Sequence, residues 1–248
     1  MSGSNVLICI PLAGRSSRFT AAGFTVPKYR LELSGRPVFD YAVSSFAAYF
    51  DKAEFIFCVL NVEEAKAFVH KRCALLGIQK YQIILFDTVT RGQAETVYIG
   101  LEKSTTSNVG PLVIFNIDSF RSGFQLYERA REASGYLEVF EGEGDGWSFV
   151  KEDASRPGYA AAVIEKHRNS RWCSNGLYVF RDIETYRSAY LSELISPSQK
   201  IGELYVAPIY NHLITTGNVL IRFLGSKETI FCGTPDEYNL LKQTDIGR

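Results

Sequence analysis

The chain has 248 residues, is 46% hydrophobic, and balances 27 Lys and Arg against 27 Asp and Glu. That is enough apolar material for a sizeable core, in one large domain or two small ones. Zero formal net charge without a basic tail or charge block excludes nucleic acid as a default partner, and no apolar run is long enough to insert in a membrane.

The chain opens "MSGSNVLICIPLAG", with no basic region before its short apolar run. It reads as a first strand, rich in β-branched residues and buried on both faces, and not as a signal peptide. "PVFDYAVSSFAAYF" places Phe39, Val43, Phe46, Ala47 and Phe50 near helical spacing behind Pro37, which is tolerated at a helix start. "EFIFCVL" predicts a second buried strand. "VEEAKAFVHKRCALLG" predicts an amphipathic helix closed by Gly77. "YQIILF", "GQAETVYIGLEKS" and "PLVIFNID" then read as strand, helix and strand. This alternation calls for βαβ units around a mainly parallel sheet.

After Asp118 the pattern changes. "GYLEVFEG", "WSFVKED", "YAAAVIEKH" and "GLYVFRD" read as successive strands. "RDIETYRSAYLSELI" and "VAPIYNHLITTG" follow as helices, and "VLIRFLG" and "ETIFCG" as strands. No linker separates the halves. The expectation is a single domain over 1–248, whose front half, about 1–120, reads as a nucleotide-binding type of α/β half and whose back half, about 121–248, reads as mixed sheet and helices.

The five cysteines are scattered without a C-x-x-C, as buried free thiols in a reducing cytoplasm would be. His70, His167 and His212 lack metal-ligand spacing. No G-x-G-x-x-G follows the first strand, which disfavours NAD, and there is no G-x-S-x-G elbow.

The informative stretch is "PLAGRSSRFTAAGFTVPKYRL". A buried strand feeding a loop and a helix presents backbone N–H groups at the carboxyl edge of the sheet, where α/β proteins bind ligands and anions. Gly14 permits close backbone approach, and Arg15, Arg18 and Lys28 supply charge for phosphates. A solvated loop carrying ordinary surface cations is the bland alternative.

Leu12, Ala13, Gly14, Arg15, Ser16, Ser17 and Arg18, followed by Pro27 and Lys28, resemble the A-G-x-G-x-R…P-K signature of the sugar-phosphate nucleotidyltransferases. Ser16 stands where that family usually has Gly. Further segments resemble the family in order. In "RGQAETV", Gly92 and Gln93 match the turn that reads the base. "IFNID" supplies Asp118 as a metal ligand. "VIEKH" supplies Glu165 and Lys166 for the acceptor, "SNGLYVF" supplies Asn175 and Gly176, and "GELYVAPIYN" supplies Glu203. "IFCGTPDEY" resembles the closing motif, but Phe231 and Cys232 occupy the neighbourhood where some branches carry a second metal-binding Asp, leaving Asp236 or Glu203 as substitutes. "EGEGDGWSFV" resembles a branch associated with capsule and surface-polysaccharide synthesis.

The resemblance implies a Rossmann-like, three-layer α/β/α fold with a mainly parallel mixed central sheet, of the nucleotide-diphospho-sugar transferase type. It implies transfer of a nucleoside monophosphate from a triphosphate to a sugar 1-phosphate or similar phosphorylated acceptor, with Mg²⁺ as cofactor and pyrophosphate as leaving group. Arg18, Lys28, Asp118 and Lys166 would carry the chemistry. Two rivals stand: a glycosyltransferase using a nucleotide-sugar, for which "NID" offers one carboxylate where a D-x-D offers two, and a nucleotide-binding regulatory homologue. Base, acceptor and homo-oligomerisation are left open.

Overall fold

The computed structural model describes residues 6–199, 202–225 and 227–244. The first half runs β1 (Leu7–Pro11), α1 (Ser17–Ala21), a hairpin of β2 (Glu32–Leu33) and β3 (Arg36–Pro37), α2 (Val38–Ser44), β4 (Glu54–Leu60), α3 (Ala65–Leu76), β5 (Lys80–Phe86), α4 (Gln93–Lys103) and β6 (Leu112–Phe115). The second half runs β7 (Ser119–Arg121), β8 (Gly135–Glu141), β9 (Ser148–Glu152), β10 (Ala160–Glu165), β11 (Trp172–Phe180), α5 (Ile183–Ile195), α6 (Tyr210–Thr216), β12 (Val219–Phe223), β13 (Thr229–Phe231) and α7 (Pro235–Lys242).

Among the described residues, one nine-stranded sheet passes through both halves in the order β10-β9-β11-β6-β1-β4-β5, with β8 against β11 and β12 against β8. β1, β4, β5 and β6 pair in parallel. β11 lies antiparallel to β6, β8 and β9, and β10 lies antiparallel to β9, so only β10 and β11 run against the other strands. The sheet is mixed and mostly parallel in direction.

Alternate residues of the central strands feed two cores. Ile8, Ile10, Phe55, Phe57 and Phe115 face α2 and α3, while Leu7, Cys9, Ile56, Cys58 and Ile114 face α4, α5 and α6. Burial on both faces is why these strands read as unbroken apolar runs. The expected three layers are present. All five cysteines are free and buried.

The predicted helix over 37–50 is shorter than its periodicity suggests. α2 stops at Ser44, a separate 3₁₀ turn spans Ala47–Tyr49, and Ala47 is exposed. Ser45 explains the break: its Oγ accepts from the Arg121 amide at 2.9 Å and its carbonyl from Phe124 N at 3.1 Å, so its polar groups serve another segment. Gly77 closes α3 at φ 77°, as expected. β11 begins earlier than expected, at Trp172. α7 opens with a capping box between Thr234 and Glu237. Its Tyr238 packs edge-on against Phe19 and Phe24 and donates to the Glu32 carbonyl at 3.0 Å.

Candidate active site

The carboxyl ends of β1 and β6 and the start of β11 open into a cleft of about 950 Å³. It is lined by residues 11–19, 28, 91–93, 116–119, 165–166, 174–176, 203 and 205, among others. Every residue singled out above on sequence grounds for a site role borders it, Asp236 excepted; that side chain is exposed in the first turn of α7.

At the β1 end the chain leaves the sheet at Leu12, whose amide donates to Cys58 O at 2.7 Å. Ser16 then adopts φ 52° and ψ 36°, the left-handed conformation that favours glycine. Its Oγ accepts from Lys28 N at 3.4 Å, tying the loop to the Pro27–Lys28 segment. No Cβ contact falls within 4 Å of Gly14. Arg15 and Arg18 are exposed and make no ion pair among the described residues.

Lys28 reaches across to Asp118, with Nζ 2.5 Å from Oδ2 and both side chains about three-quarters buried. Asp118 sits between β6 and β7, and its carbonyl accepts from Cys232 N at 2.8 Å just beyond β13. Burial pushes the Asp118 carboxyl up, but Lys28, with help from a backbone hydrogen bond and Arg18, outweighs burial and holds it below the ordinary carboxylate value. The neighbouring Cys232 thiol is pushed up to about 12 by burial and by the charges of Asp118 and Glu237.

Gly92 and Gln93 divide their tasks. A Cβ on Gly92 would lie 2.4–2.8 Å from the backbone of Leu204, so this glycine allows two chain segments to touch. Gln93 donates to the Asn116 side chain, and Asn116 in turn leaves room only for a glycine at position 176 (2.5 Å from a Cβ there to Asn116 Nδ2). Gly176 has φ 85°, within an irregularity of β11 where the pairing with β8 shifts between Ser174 and Tyr178. Asn116 is a site residue that the sequence reading passed over, although it opens the N-x-D stretch.

Asn175 is placed at the cleft, but its amide is occupied. It donates at 3.1 Å both to Glu138 Oε2 and to Thr229 Oγ1, and its Oδ1 accepts from Leu177 N at 3.0 Å. Glu138 is fully buried and also takes Arg121 Nε at 2.8 Å and Arg222 Nη1 at 3.3 Å. Asn175 therefore shapes β11. Glu165 is buried and accepts from Ser148 Oγ. Burial raises its carboxyl above the ordinary value, with Ser148 and Lys166 opposing and Glu203 adding to the rise. Lys166 and Glu203 meet through Tyr205, a second residue missed from sequence.

Among the described residues no cluster of three or more His, Cys, Asp or Glu could hold a metal. Glu237, which like Asp118 approaches Gly233, spends Oε2 on the Gly233 and Thr234 amides at 2.8 and 3.0 Å. A hard cation that binds through one carboxylate and substrate phosphates fits this arrangement, with Asp118 as the protein ligand.

A mostly parallel sheet with a glycine- and arginine-bearing loop after β1, a carboxylate after β6 and a cleft bordered by β10 and β11 is the nucleotide-diphospho-sugar transferase type of α/β fold. A structure described as the nucleoside-diphosphate-sugar pyrophosphorylase from Vibrio cholerae RC9 is 44% identical, with TM-score 0.92, covering 96% of this chain and all of that one. The chain belongs to this nucleotidyltransferase family. Two remote structures share the fold: the inositol-1-phosphate CTP transferase from T. maritima (14% identity, TM-score 0.73, 100% of this chain and 99% of that one) and a UDP-glucose pyrophosphorylase complexed with UDP-glucose (12%, 0.73, 96% and 97%). Neither protein-family models nor curated proteins match the chain. No helix among the described residues is long and apolar enough to cross a membrane.

Proposed function

We propose that this nucleotidyltransferase transfers a nucleoside monophosphate from a triphosphate to a sugar 1-phosphate or similar phosphorylated alcohol. The observation that carries this is the Lys28–Asp118 pair, set between a phosphate-type loop on one side and Glu165 and Lys166 on the other. The description of the Vibrio relative supports the same reaction class.

An oxygen of the acceptor phosphate attacks the α-phosphorus of the triphosphate. The bond from that phosphorus to the oxygen bridging to the β-phosphate breaks, and pyrophosphate leaves with the electron pair. The attacking oxygen is already ionised, so no side chain need remove a proton, and catalysis reduces to positioning and charge neutralisation. Arg15, Arg18 and Lys28 neutralise the departing phosphates. Lys166 draws the acceptor phosphate in, and Glu165 selects the acceptor through its hydroxyls. Asn175 acts indirectly, by fixing the turn of β11 that Gly176 completes. Asp118 would hold Mg²⁺, which when bound neutralises charge on phosphate oxygens.

The stretch Glu141–Val150, with its resemblance to the surface-polysaccharide branch, supports a product that feeds capsule or surface-glycan synthesis. The free cysteines accord with a cytoplasmic location. The test is melting temperature with CTP, UTP, dTTP, GTP, ATP and several nucleotide-sugars, each with Mg²⁺ and with chelator. A ligand at 100 times its Kd that binds only the folded state adds about 2.7 kcal/mol. A Mg²⁺-dependent rise with one triphosphate is expected and names the base. A rise with nucleotide-sugars alone would shift the reading toward glycosyl transfer, although a nucleotide-sugar is also the product of the proposed reaction.

A further inference from the structure

Lys166 follows β10 with φ 54°, a conformation that costs a lysine. Its amide donates to the Trp147 carbonyl at 2.9 Å, which holds the turn. The turn aims the side chain at Tyr205. The ammonium donates a hydrogen bond to the Tyr205 hydroxyl and lies 4.3 Å from the centroid of the ring. The same hydroxyl donates to Glu203 Oε2 at 2.5 Å. One phenol thus meets the lysine with both its oxygen and its π face, and is anchored by a carboxylate. Burial first, then Glu203 and Glu165, keep the phenol protonated well above its ordinary range, with Arg18 opposing, so it stays a donor to Glu203.

The segment bearing Tyr205 is itself tied down. Leu204 N donates to the Arg91 carbonyl at 3.1 Å, and the Leu204 carbonyl accepts from Ala94 N at 2.9 Å. These bonds hold Glu203–Tyr205 against the turn that contains Gly92 and Gln93. The close approach of Leu204 to Gly92 leaves no space for a Cβ there.

We propose that Tyr205 is a positioning residue: it holds the Lys166 ammonium at the acceptor end of the cleft, at a place set by the anchoring of Leu204 on the base-side turn. Calling that end the acceptor end rests on the functional reading above.

The first test needs no substrate. Acetylation of Lys166 in the full chain, in mildly alkaline buffer, is followed by peptide mass spectrometry for wild type, Tyr205→Phe and Tyr205→Leu, with Lys66 and Lys151 as controls. Lys166 should react several-fold faster in Tyr205→Leu. Tyr205→Phe, which keeps the ring face, should fall between. Equal Lys166 rates in wild type and folded Tyr205→Phe overturn the proposal, even if the leucine variant does not fold. The second test is pyrophosphate release with the triphosphate that passes the melting panel and a panel of sugar 1-phosphates. Tyr205→Leu should raise the acceptor KM about tenfold and change the triphosphate KM less than about twofold. A lower kcat with unchanged acceptor KM overturns it. If no triphosphate passes, the functional reading fails, while the labelling result still decides the role of Tyr205.

Discussion

The two ends of the cleft are built differently. At the β1 end, the groups facing the cleft are a loop backbone and two exposed arginines without an ion pair among the described residues, placed by parallel strands buried on both faces. At the β10–β11 end, nearly every polar side chain is held by another: Glu165 by Ser148, Asn175 by Glu138 and Thr229, Lys166 by Tyr205. On the proposed reading, the phosphates common to all triphosphates are met by strand ends and exposed arginines. The proposed choice of acceptor calls for side chains fixed in advance: buried hydrogen bonds fix Glu165 and Asn175, and Tyr205 holds the exposed Lys166.

The contrast is broken most severely by removing the buried charge beneath β11. Arg121 and Glu138 are 2% and 0% exposed. Arg121→Met should cost about 3–5 kcal/mol, because it leaves a buried carboxylate short of a partner. Urea unfolding measures this, and a loss below about 1 kcal/mol would mean that the network does not set the fold around Asn175.

Next in size is the pair between the two ends. Lys28→Ala and Asp118→Asn should each lower turnover about 10²–10³-fold while the protein stays folded. Near wild-type turnover would remove the residue from the mechanism. The pair also has a pH signature. The Asp118 carboxyl lies below its ordinary value, so its contribution to stability is present above that value and is lost as pH falls through the lowered one. In Lys28→Ala the dominant lowering influence is gone and burial remains. The acid loss linked to Asp118 should then shrink or reverse, so the melting temperature of Lys28→Ala should fall less on acidification than that of wild type.

Glu165 has the opposite sign. Its carboxyl is raised, so the stability linked to it is present below the ordinary carboxylate value and lost as pH rises through the raised one. At neutral pH Glu165→Gln should match wild type or exceed it by about 1 kcal/mol or less, yet use the acceptor poorly. Denaturation at acid and neutral pH, beside acceptor kinetics, separates the two effects. The smallest change is expected at Ser16. Ser16→Gly should alter stability by less than about 0.5 kcal/mol, since relief of left-handed strain offsets the added backbone entropy, whereas Ser16→Val should be clearly destabilising.

What could be read from sequence follows the same division. β1, β4 and β6 were visible because burial on both faces leaves continuous apolar runs, and the loop after β1 because its residues are adjacent in the chain. α7 was not among the expected elements, although its Thr234–Glu237 capping box joins residues only three apart. The acceptor end was legible only as positions. Nothing local to Asn175 reveals that its amide is spent on Glu138, and nothing in "GELYVAPIYN" reveals that Tyr205 faces Lys166, because each pairing joins strands and loops far apart in sequence. Gly92 was read as part of a base-contacting turn, whereas the backbone of Leu204, which leaves it no room for a Cβ, lies on another segment.

The hydrogen bond from Tyr238 to Glu32 spans 206 residues, and Tyr238 also completes the aromatic cluster around Phe19. During synthesis, at about 5–20 residues per second, β1 and its loop emerge well before α7 does. The phosphate-type loop therefore waits, without its aromatic support, for the last helix to dock. Contacts of such long range slow folding. A chain truncated before α7 would keep every residue of the β1 loop and lack the Tyr238 contact to Phe19, so the damage should appear as incomplete packing of that loop while β8–β11 are already in place.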